Sequence, residues 1–245
     1  MPDIDETRQF MHRDDGKRTI GEVPPGARYD DSDGSNTAVD FPMWMYWTRI
    51  AAEHASEAAD LRLPDEQLDG IADAIASGGP SPQTAADDGL ANRSVRAAMV
   101  AIVAAAVAVD GFFGTMVSDE VGLKKKGGPR AARYSVIVET LKMGFALGQE
   151  QRRLSAELKW LFKLRDRAVH HSSSRREVVV VRETDRTVLY GPPETGLFTP
   201  ENARRAVDVA LDLILACLAN PKSQTAAFAT RHLYLTRDLL QGTAI

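Results

Sequence analysis

The feature that most limits how this 245-residue chain can fold is the run at residues 97–109. It holds thirteen residues without one polar side chain, and seven of them are alanine. The run lies in the most apolar stretch of the chain, residues 92–117, which also contains Asp110. A helix that is apolar all round either spans a membrane or occupies the centre of a bundle. The length suffices for a span, but alanine adds little to insertion and an aspartate in hydrocarbon is costly. The reading is therefore a central buried helix, with Asp110 as a buried or half-buried acid in need of a partner.

Helical signals flank this run on both sides. Residues 41–63 read as a helix with Asp40 as candidate N-cap and Pro42 in the first turn. Its start carries Met43, Trp44, Tyr46, Trp47 and Ile50, a cluster that is core or partner interface more often than a base-stacking surface. Residues 64–77 read as a short helix stopped by Gly78-Gly79-Pro80-Ser81-Pro82. Two more helices are read at 130–147 and 149–171. Another is capped by Thr199 and starts at Pro200-Glu201, and a last one covers about 225–240. The β-branched runs 178–182 and 187–190 flank Glu183-Thr184-Asp185-Arg186, which is a hairpin signal. Residues 11–40 are rich in Asp, Gly, Ser, Pro and Arg and show no apolar periodicity. The expected fold is mainly α, a helical bundle with a small β-hairpin insertion before the penultimate helix. The expected parts are a flexible acidic leader (1–40), a helical accessory segment with its linker (41–90), and the bundle (91–245).

Composition narrows the setting. Hydrophobic residues make up 44% of the chain, enough to bury a core. The lone cysteine, Cys217, sits in an apolar run, where a small packed side chain is expected rather than a reactive thiol. One cysteine allows no internal disulfide, and the acidic start Met-Pro-Asp-Ile-Asp-Glu is no signal peptide. A cytoplasmic protein without a membrane partner is expected. The net charge of −4 conceals an asymmetry: residues 1–120 hold 9 Lys/Arg and 22 Asp/Glu, whereas 121–176 hold 14 and 4. A positive block of that kind attracts phosphates, unless the acidic half pairs with it and cancels it.

The positive block contains Arg165-Asp166-Arg167-Ala168-Val169-His170 at the end of an amphipathic helix. At 100° per residue, Leu154, Leu158, Leu161, Phe162, Ala168 and Val169 share one face, and Arg165 falls in its middle where a leucine belongs. A charge there has to be paired, hydrated or functional. Asp166 and His170 stand beside the stripe as i,i+4 neighbours.

Arg, a polar residue, three further residues and His at a helix end resembles the ribonuclease motif of the HEPN superfamily (higher eukaryotes and prokaryotes nucleotide-binding). The resemblance covers roughly residues 92–220 and rests mainly on the six-residue motif. It implies a helical bundle acting as a metal-independent endoribonuclease without a cofactor, in a toxin or phage-defence setting. It also implies a homodimer whose two motifs form one shared cleft. Arg165 would bind the scissile phosphate, His170 would move protons and Asp166 would orient or polarise. The position of Asp110 resembles an acid that many members carry on an early helix, which predicts a contact from Asp110 to Arg165 or His170. His171 is a further supporting candidate. Lys124, Lys125, Lys126, Arg130 and Arg167 are candidates for contact with the RNA backbone. RNA, a second copy and an antitoxin or regulatory protein are the expected partners.

Arg165 and His170 lie about 140° apart on an ideal helix, which suits a dimer seam better than one helix acting alone. Two rivals stand beside the enzyme: a non-catalytic HEPN-like nucleotide- or protein-binding module, and a structural dimer using the motif as ion pairs. In the structural case Arg165 and Asp166 pair, and His170 and His171 act as cations at the helix end. No HExxH, paired-cysteine, Gly-x-Ser-x-Gly, dinucleotide or Walker pattern occurs, and adjacent His170 and His171 diverge on a helix, so no metal site is expected.

Overall fold

The computed structural model describes residues 9–14, 17–22, 42–61, 73, 77, 85–118, 121–128, 130–170, 178–181, 188–191 and 193–232. The protein is mainly α. The apolar run lies within α2 (Ala85–Val117), which touches α1 (Met43–Asp60), α3 (Arg133–Gly144), α4 (Glu150–Val169) and α5 (Pro200–Ala219). Small side chains make this central position possible. Ala97, Ala98, Ala101, Ala104, Ala105, Ala106 and Ala108 are all buried, as are Ala51, Ala55 and Ala58 on α1. Ser94 Oγ donates to the Ala58 carbonyl at 2.9 Å, and a Cβ added at Gly111 would lie 3.4 Å from Trp44 Cα. The pairing of 94 with 58 and of 111 with 44 makes α1 and α2 antiparallel. Alanine against alanine lets their backbones approach closely. Gly89–Val117 is long and apolar enough to cross a membrane by length and composition, yet 61% of its most apolar window is buried inside the protein's own fold.

Contacts divide the chain into Met1–Phe41 and Pro42–Ile245. In the first unit β1 (Gln9–Asp14) pairs antiparallel with β2 (Lys17–Glu22), in register from Gln9↔Glu22 to Asp14↔Lys17. These strands fall within the segment expected as an acidic leader. The Asp15-Gly16 dipeptide between the strands is a hairpin signal that composition hides.

The second unit runs across the boundary expected between 90 and 91. The segment read as accessory supplies core through α1, and α2 is already helical from Ala85, inside the stretch read as linker. The aromatic cluster at 43–50 divides. Trp44 is buried edge-on to Phe112 at 5.5 Å, and Trp47 and Ile50 pack on the core, while Met43 and Tyr46 are exposed. Phe112 also meets Phe145 and Phe228, and His232 is buried between Trp44 and Phe228. Pro42 flanks α1 and supplies no side-chain cap, and Asp40, the expected cap, lies outside the described residues.

Between α4 and α5 the chain pairs β3 (Val178–Val181) with β4 (Val188–Gly191) antiparallel, from Val178↔Gly191 to Val181↔Val188. Thr199 caps α5, its Oγ1 accepting from the Asn202 N–H at 3.1 Å, with Pro200 in the first turn. Two ion pairs join α4 to α5, Arg153 with Asp212 at 2.8 Å and Arg205 with Glu157 at 2.9 Å. Cys217 is fully buried, and burial pushes its thiol pKa far up, which leaves it a packing group. Residues 226–232 are helical. The remainder of the last expected helix, the breaker at 78–82 and all but residues 73 and 77 of the helix read at 64–77 lie outside the described residues.

If close alanine packing of α2 is what holds the centre, Ala101→Leu should overpack it and cost about 1–3 kcal/mol. Urea unfolding measures this, and a loss near zero would mean that the α1–α2 contact is loose.

Candidate functional site

α4 forms because Leu154, Leu158, Leu161, Phe162, Leu164 and Ala168 present one buried face to the core. The helical wheel gives Arg165 the middle of that face, but Leu164 fills the core place instead. The Arg165 side chain is 25% exposed, and Val169, assigned to the apolar face, is 54% exposed. The helix ends at Val169. His170 takes φ −110° and ψ 79°, and its backbone N–H still donates to the Asp166 carbonyl at 2.8 Å.

The Arg165 guanidinium lies 4.8 Å over the ring of buried Phe162. Its Nε donates to Asp166 Oδ1 at 2.9 Å, and Nη2 reaches the same oxygen. Its Nη1 stands 3.7 Å from Asp110 Oδ2, so the contact expected between Asp110 and Arg165 is present. The other oxygen, Asp110 Oδ1, accepts from Arg133 Nε at 2.7 Å. Arg133 opens α3, and its guanidinium lies 4.6 Å over the ring of buried Phe113. One carboxylate from the apolar helix thus draws together two arginines from two other helices, each lying on a phenylalanine. Stacking on a ring fixes the guanidinium plane and leaves its N–H edges for anions. The acidic half of the chain does pair with the basic middle at this point.

The Asp166 carboxylate is taken up by Arg165. Among the described residues no hydrogen bond joins its carboxylate to the His170 ring. A charged guanidinium one residue away offers a stronger, charge-assisted bond than an imidazole does. His170 is exposed. His171 lies outside the described residues.

The expected backbone contacts are Lys124, Lys125 and Lys126 on the loop between α2 and α3, Arg130 just before α3, and Arg167 on α4; all five are exposed. No acid among the described residues pairs with any of them. The Lys126 N–H donates to Thr140 Oγ1 at 2.8 Å, which pins the loop to α3. Gly127 turns this loop with φ 111°, and a Cβ there would come within 2.9 Å of Val136 Cγ2.

Sequence reading missed Arg133. It lies within a helix read for its apolar positions, three residues after the last cation of the basic turn. One signal was present: a cation in the first turn of a helix faces the positive end of the helix dipole and needs an acid from elsewhere. A surface hollow lined by Gly148, Gln149, Gln151 and Arg152 lies at the far end of α4, about 27 Å from His170 by helical rise. It takes no part in the cluster. Among the described residues no three of His, Cys, Asp and Glu gather as metal ligands would.

Comparison with family models, curated proteins and solved structures finds no match to this chain.

The ion pairs of Asp110 reach solvent, with side chains 25–39% exposed, so their net contribution to stability is small. Asp110→Asn should cost about 1 kcal/mol or less in urea unfolding. A loss of about 3 kcal/mol or more would instead mark a desolvated, structural cluster.

Proposed function

We propose that the chain is a metal-independent endoribonuclease of the HEPN type, a helical bundle acting as a homodimer in the cytoplasm, in a toxin or phage-defence setting. One observation carries this reading. The acid of the apolar helix, Asp110, reaches the guanidinium of Arg165, as the resemblance implies, and Arg165 stays at the surface instead of closing into the core.

The chemistry follows from these groups. Arg165 holds the non-bridging oxygens of the scissile phosphate as charge grows on them. An imidazole of His170 removes the 2′-hydroxyl proton, the O2′–P bond forms and the P–O5′ bond breaks. The partner copy's imidazole returns a proton to the departing O5′. The products are a 2′,3′-cyclic phosphate and a 5′-hydroxyl. In this geometry Asp166 positions Arg165 rather than His170. Lys124, Lys125, Lys126, Arg130 and Arg167 hold flanking phosphates as exposed cations. A constitutive nuclease harms its host, so an antitoxin or regulatory partner belongs to this reading.

A second reading is a non-catalytic HEPN-like nucleotide- or protein-binding module. It is favoured by the two carboxylates that already neutralise Arg165, and by the absence of any described acid bonded to the His170 ring.

Purified protein incubated with total RNA in EDTA tests the enzyme. Wild type should cut, and Arg165→Ala and His170→Ala should each slow cutting by about 10²–10⁴-fold. No cutting by wild type, or equal cutting by both variants, rejects the nuclease. RNA binding without cutting leaves the binding module.

A further inference from the structure

We infer that Arg133 and Arg165 form a two-arginine site for the backbone phosphates of single-stranded RNA, with Asp110 as the internal anion that occupies it until RNA arrives. The inference rests on reading Arg165 as the residue that holds phosphate, and it adds a residue to which no role was assigned.

Both guanidiniums are built in the same way. Each lies over a buried phenylalanine ring, Arg133 over Phe113 and Arg165 over Phe162, and each side chain stays partly open to solvent. They meet opposite oxygens of one carboxylate, Arg133 at Oδ1 and Arg165 at Oδ2. A guanidinium that takes one carboxylate oxygen, as Arg133 does through Nε, can take a phosphate oxygen in the same way and add a second, parallel N–H bond. Asp110 therefore stands where a phosphate oxygen would stand.

The two arginines are not equally engaged. Arg165 spends Nε and Nη2 on Asp166 and turns Nη1 to Asp110. Arg133 spends only Nε, and among the described residues its two Nη groups make no hydrogen bond. Those N–H groups are the donors available to an incoming phosphate. Arg133 follows the basic loop in the chain, three residues after Arg130, the last of its exposed cations Lys124, Lys125, Lys126 and Arg130. A strand drawn to that loop by charge has Arg133 as the next cation along the chain.

The acids facing the pair are Asp110, shared by both, and Asp166, held by Arg165 alone. The four side chains sum to no net charge. RNA must compete with Asp110, and removing the Asp110 charge should strengthen RNA binding. A purely structural ion-pair role predicts no such gain.

The test uses the full chain in EDTA with a fluorescein-labelled 2′-O-methyl uridine 12-mer, which lacks the attacking hydroxyl and reports binding alone. Anisotropy is followed over a range of salt concentrations. Arg133→Gln should weaken binding about tenfold and reduce the slope of log affinity against log salt by about 0.7, the value for one contact on a single strand. Asp110→Asn should tighten binding about fivefold, as expected on removing one opposing charge near the surface. A folded Arg133→Gln that binds with wild-type affinity and slope overturns the inference, as does wild type that fails to bind. If Arg133→Gln does not unfold cooperatively, Asp110→Asn decides alone, and unchanged or weaker binding overturns the inference. Cleavage of the ordinary uridine 12-mer is scored separately. No cleavage with the expected binding pattern retires the ribonuclease reading and supports this one.

Discussion

A helix with almost nothing but alanine and valine along its middle can be buried on several sides only if its neighbours come close. That closeness governs the rest of the bundle. The alanines of α2 carry little hydrophobic area each, so the centre depends on contact density rather than on large side chains. Trp44, Phe112, Phe145 and Phe228 supply bulk at one end, where the helix acquires Gly111 and the chain can afford wider rings. The same helix that organises the core therefore also sets where an embedded polar group must emerge.

That group is Asp110. A carboxylate on an apolar helix is unfavourable unless cations reach it, and here they arrive from two other helices. The phenylalanine rings beneath Arg133 and Arg165 belong to the core, so the guanidiniums rest on the outer surface of the hydrophobic interior. The result is a polar cluster at the boundary, held by apolar packing below and open to solvent above. Charge is balanced within the cluster, whereas Lys124, Lys125, Lys126 and Arg130 before α3 and Arg167 on α4 are exposed cations.

Parts of this cluster were legible in the residues alone. The residue pattern marked Arg165 and Asp110 as charges in need of partners, and the resemblance put Asp110 against Arg165 or His170; the contact made is with Arg165. Arg133 was not legible, because periodicity reports which positions of a helix are apolar and says nothing about a cation whose partner lies 23 residues away. Asp166 bonds Arg165, because the neighbouring guanidinium offers its carboxylate a charge-assisted bond that the i,i+4 rule does not weigh. The hairpin at residues 9–22 was hidden because composition averages over a window, while a two-residue turn acts locally.

The residues in order determined that the chain is mainly helical, that residues 97–109 lie at the centre, that Thr199 starts a helix and that Cys217 is buried. Those outcomes follow from short-range periodicity, capping chemistry and the cost of hydrating apolar surface. Tertiary structure alone decided that α1 joins the core, that Leu164 rather than Arg165 faces inward, and that Arg133 shares the Asp110 carboxylate. Each of these depends on which surfaces meet in space. A side chain's surroundings are set by neighbours distant in sequence, and local pattern carries no record of them.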